Sequence, residues 1–133
     1  MKTLKDYKIK ELTTKVYDFI TRANIEIDGK LDGKTIAGQS KFFAKDLQIK
    51  NSFKNLYLYQ IRDAFYEGVR DEQEDRFIKL NIPTYFRWVR KHKNRIDEAY
   101  YNVHTLNQNP KQVQYYDLKN LNFEHIKTYK QTK

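Results

Sequence analysis

The sequence predicts a mainly α-helical domain built around a helix-turn-helix, and three observations predict it. Apolar residues recur at three- and four-residue steps through most of the first hundred positions. Pro83 stands where it suits a helix's first turn and could not sit in a helix interior. Opposite charges also flank one short break. Asp71-Glu72-Gln73-Glu74-Asp75 opens one segment, Arg87, Arg90, Lys91, Lys93 and Arg95 crowd the next, and Asn81-Ile82-Pro83-Thr84 lies between them. An acidic first turn, a tight turn and a basic amphipathic helix are what a helix-turn-helix facing duplex DNA requires.

From Leu4 to Ala23, the residues Ile9, Leu12, Val16, Phe19, Ile20 and Ala23 give one buried stripe. Asn24 to Thr35 interrupts it with two turn signals, Asp28-Gly29 and Asp32-Gly33. Ile25 and Ile27 alternate there with Glu26 and Asp28, so a small β-hairpin or an ordered loop is expected near residues 25–31. Ile36 to Leu47 reads as a short helix buried through Phe43, Ala44 and Leu47. Ser52 suits the cap of a stronger helix with a stripe of Phe53, Leu56, Tyr57, Ile61, Ala64 and Phe65, ended by Gly68. The next helix is expected to run from Asp71 to about Leu80, with Asp71 and Glu74 at capping-box spacing.

A long helix then begins at Pro83 or Thr84, its stripe formed by Tyr85, Trp88, His92, Ile96, Ala99, Val103 and Leu106. Beyond Asn107 to Pro110 the apolar residues thin out. The expected organisation is a helical domain over 1–110, with the helix-turn-helix at about 53–106, and a basic C-terminal extension over 111–133.

Composition narrows the function. In 133 residues, 39% hydrophobic and 15% aromatic content suffices for one core, while 32% charged residues and a mean hydropathy of −0.93 imply a solvated exterior. The net charge of +9 and pI near 9.6 favour a polyanionic partner, because Lys and Arg along phosphates release condensed counterions. Lysine abundance from an AT-rich genome would give the same figures. The absence of cysteine excludes disulfides, thiolate metal sites and a cysteine nucleophile. With neither a signal-peptide core nor an 18-residue apolar run, the expected location is the cytoplasm of a bacterial host, with no membrane partner.

The basic helix is the leading binding element. With Tyr85, Trp88, Ile96 and Ala99 turned inward, Arg87, Arg90, Lys91 and Asn94 fall on the other side, placed to enter a major groove. Lys93, Arg95 and Lys79 are the expected phosphate contacts. Thr84 to Ile96 holds five Lys or Arg and no acid, whereas an ordinary solvated face mixes signs. The acidic stretch is read as a helix start complementing the dipole.

Sharper chemistry fails on spacing. Gly33-Lys34-Thr35 follows Gly29 with three intervening residues where a phosphate-binding loop needs four. His92, His104 and His125 stand twelve and twenty-one residues apart, so no metal is assigned. Tyr100-Tyr101 and Tyr115-Tyr116 lack the companions of a tyrosine nucleophile, and the chain is read as a non-enzyme without cofactor. Tyr57, Tyr59, Tyr66, Tyr115, Tyr116 and Tyr129 sit among cations, as rings that stack on single-stranded bases do, although packing explains them as well.

The stretches Ile61-Arg62-Asp63-Ala64-Phe65-Tyr66-Glu67-Gly68 and Ile82-Pro83-Thr84-Tyr85-Phe86-Arg87-Trp88-Val89-Arg90-Lys91 resemble the helix-turn-helix of small terminase subunits and related proteins of phages and mobile elements. The resemblance implies duplex-DNA recognition in packaging, replication or transcription control, and self-association. The alternative is a small accessory or inhibitor protein of such an element that acts by binding another protein.

Overall fold

A computed structural model of the chain describes residues 1–73 and 77–105. Its helices are α1 (Ile9–Glu26), α2 (Gly33–Ile49), α3 (Leu58–Glu72) and α4 (Ile82–Thr105), preceded by a 3₁₀ turn at Leu4–Asp6. The chain divides into two compact units, Met1–His92 and Lys93–Lys133, with the division falling inside α4. The expected boundary at 110 and the extension over 111–133 lie outside the described residues.

In the first unit, the stripe Leu12, Val16, Ile20 and Ala23 buries one side of α1, as the periodicity requires. The N-terminal segment does not extend that helix. Leu4 is fully buried, and the amides of Leu4 and Lys5 donate to the carbonyls of Leu56 and Lys54 at 2.9 and 3.1 Å. Thr3 and Tyr57 form an isolated antiparallel bridge, the only β-pairing among the described residues.

The hairpin expected near 25–31 is not formed. Ile25 and Glu26 complete α1, and Ile27 closes its last turn by donating to the Ala23 carbonyl. Ile27 is four residues from Ala23 and continues the helical stripe, whereas Ile25, its partner in the strand-like alternation, is exposed. The turn that follows is where Asp28-Gly29 places it, with Asp28 in the left-handed region at φ 56°.

α2 starts earlier than expected because Asp32 caps it, accepting the Thr35 amide at 2.8 Å. Ser52 caps nothing: residues 51–55 form turns, Phe53 is buried, and α3 begins at Leu58, where the Tyr57 amide donates to Gln60 Oε1 at 2.8 Å.

The larger correction concerns 68–80. Gly68 does not end α3 but lies inside it, buried, beneath the indole of Trp88, where an added Cβ would collide with the ring. The helix therefore runs on to Glu72. Residues 77–80, expected as helix, are not helical. Two of their carbonyls find side-chain partners: Gln39 Nε2 donates to Leu80 O at 3.1 Å and the Thr84 hydroxyl to Lys79 O at 2.7 Å. Among the described residues, Asp71 and Glu72 belong to α3 and 77–80 are not helical, so the acid-started helix expected from Asp71 to about Leu80 is not formed. α4 opens as expected, with Pro83 in its first turn and Asn81 Oδ1 accepting the Thr84 amide at 3.0 Å.

Within the largely aliphatic core of this unit lies a cluster of aromatic rings. Phe65 stacks on Tyr85 at 5.2 Å and meets Trp88 edge-on at 5.4 Å, and Phe43 meets Tyr85 and Phe86 edge-on at 5.6 and 5.0 Å. Tyr85 donates its hydroxyl to Gln39, and burial pushes its phenol well above the ordinary range. Among the described residues no helix is long and apolar enough to cross a membrane.

Candidate nucleic-acid interface

In α4, Thr84, Tyr85, Trp88, Val89 and His92 are buried. At 3.6 residues per turn this turns Arg87, Arg90 and Lys91 outward, and all three are exposed. Trp88, 1% exposed, sets the angle of that face by filling the space over Gly68. His92 Nδ1 lies 3.1 Å from Glu67 Oε1, a packing residue as expected and with a carboxylate partner as well.

The acidic stretch acts differently from the expectation. Asp71 and Glu72 end α3 rather than start a helix, which puts their carboxylates at the negative pole of its dipole. Arg87 offsets this for Glu72 with a two-point fork, Nη2 to Oε1 at 2.7 Å and Nε to Oε2 at 2.9 Å. Those hydrogen bonds hold the Glu72 carboxyl below the usual carboxylate range, with the charge of Lys91 adding to the effect, and they raise Arg87 in turn. The Glu72 side chain is 16% exposed and that of Arg87 46%, so the carboxylate is the buried end and the guanidinium keeps N–H donors at the surface. Glu74 and Asp75 lie outside the described residues.

The remaining expected contacts are less uniform. Lys79 is exposed before α4 and lines a hollow of about 660 Å³ together with Asp28, Lys30 and Phe77. In the second unit Asn94 is exposed, whereas Lys93 and Arg95 are half-buried and Lys93 is paired with Asp97 at 2.6 Å. The structure therefore brings Arg87, Arg90 and Lys91 to one face of the first unit.

Two features of the surface are missing from the sequence reading. One is Glu72 as the partner of Arg87, fifteen residues away, for which the sequence carries no spacing signal. The other is the outward side of α2, where Lys34, Lys41 and Lys45 are exposed; their helical spacing could have revealed it. No protein-family model matches the chain, no curated protein matches it, and no solved structure matches it.

Proposed function

We propose that the chain binds nucleic acid, duplex DNA in the first instance, through the outward face of α4. The observation that carries this reading is the exposed row of Arg87, Arg90 and Lys91, with no acid in α4 before Asp97 and with Glu72 of α3 paired to Arg87. Ion pairing to phosphates releases counterions, and Arg and Lys one turn apart suit adjacent phosphates or a guanine edge. Arg87 is oriented by Glu72, while Arg90 and Lys91 supply the contacts that reach furthest. In this reading α4 takes the part of the recognition helix, and α3, packed beneath it through Gly68, the part of the supporting helix.

The test is fluorescence anisotropy with labelled duplex DNA, single-stranded DNA and RNA across a salt series. For roughly three phosphates, log K should fall against log salt with a slope of about −2.7 on duplex. Single-strand binding tighter than duplex binding would point to ring stacking instead, and no binding at low salt would remove the nucleic-acid reading.

A further inference from the structure

The outward side of α2 carries a pattern that the nucleic-acid reading does not use. With Ile36, Ser40, Phe43, Ala44 and Leu47 buried, the helical period places Phe42, Ile49, Lys34, Lys41 and Lys45 on the opposite side, all exposed. Phe42 is 69% and Ile49 63% exposed, so two large apolar side chains share one solvent-facing side of the helix. They stand two turns apart, about 10.5 Å along the axis. The lysines run beside them as a second stripe, and among the described residues none of the three forms an ion pair. The exposed faces of α1 and α3 mix their signs, as Asp18 with Arg22 and Arg62 with Asp63 show.

We propose that this face docks an acidic amphipathic helix of a partner protein, with Phe42 and Ile49 seated among its apolar side chains and the lysines along its carboxylates. Helix-in-groove and helix-on-helix recognition use anchors at this spacing. Sequence-tolerant binding of a single strand needs several rings in series, and here one ring is accompanied by an aliphatic side chain. An interfacial helix on an anionic bilayer carries cations along its polar face, whereas Asp46 borders the apolar stripe on the side away from the lysines. A second copy of the same face would set lysines against lysines with only Asp46 to offset them. The proposal does not rest on the α4 reading, since it involves none of the same residues.

The test is an NMR titration of the full chain with a synthetic helical peptide bearing leucines seven residues apart and glutamates along one edge. A control peptide carries lysines in place of the glutamates. The expected result is amide shifts centred on α2 with the acidic peptide alone. They should weaken at least about tenfold in affinity in Phe42→Asp, and likewise in Lys41→Glu/Lys45→Glu, with the far-UV spectrum unchanged. Arg90→Glu/Lys91→Glu should leave them intact. The proposal is overturned if the acidic peptide produces no α2 shifts or if the lysine peptide binds equally. It is also overturned if α2 responds instead to phosphatidylserine-containing vesicles or to a single-stranded oligonucleotide.

Discussion

The outward face of α2 holds its lysines clear of the packing beneath them, whereas that of α4 is tied into the fold through the Arg87–Glu72 fork and the seat of Trp88 on Gly68. Both helices present exposed cations, yet the charge is available in different ways. On α4, part of it is spent on compensating a carboxylate stranded at the end of α3, and what remains is held at a fixed angle. On α2, the exposed lysines form no ion pair among the described residues and lie beside exposed apolar side chains. Charge held by a partner suits a rigid, regular target such as a duplex, and unpaired charge beside apolar anchors suits a protein partner.

Substitutions can break or sharpen that contrast. The largest effect is expected from Trp88→Ala, which should cost about 3–5 kcal/mol in urea unfolding, while Phe42→Ala on α2 stays within about 0.5 kcal/mol. Gly68→Ala drives a methyl into the indole and should cost about 1–3 kcal/mol. Replacing Arg87 by Leu should cost about 1 kcal/mol, since the pair is half in solvent.

That last variant also has a pH signature. Glu72 and Glu26, the latter held by Arg70, both have folded carboxyls below the usual range. Their contribution is complete above the unfolded carboxylate pKa and is lost as pH falls through the folded one. Arg87→Leu should therefore lose less stability on acidification than the native chain, which paired acid-unfolding curves would show. The smallest effect is a gain: at Gly38 on α2 an added Cβ meets nothing within 4 Å, so Gly38→Ala should raise stability by about 0.5 kcal/mol. An alanine at 38 that destabilises as much as one at 68 would erase the distinction between the two regions.

These glycines also show what the sequence made legible. Periodicity located α1, α2 and α4, and the burial of Tyr85, Trp88 and His92 follows from spacing alone. So does the exposure of Arg87, Arg90, Lys91 and Asn94. Gly68 was read as a terminator because a glycine that ends a helix and one that admits an indole are identical in the chain; the difference is Trp88, twenty residues away. The acidic stretch misled for the same reason, since carboxylates favour a helix start locally, whereas Glu72 at the end of α3 is compensated by Arg87 from across the fold. Near residue 27, strand alternation and a final helical turn fit the same residues, and the continuous stripe of α1 decided between them. The Lys93–Asp97 pair, by contrast, stood in plain view at four-residue spacing.

The most direct test of the account compares duplex-DNA affinity at two salt concentrations for Arg90→Glu/Lys91→Glu and Lys41→Glu/Lys45→Glu, each with the same change in net charge. The expected result is a loss of at least about tenfold and a flatter salt slope for the α4 pair, with the α2 pair near the native chain. Equal losses from both would mean that the duplex responds to overall charge, and a larger loss from the α2 pair would place the interface on the other helix.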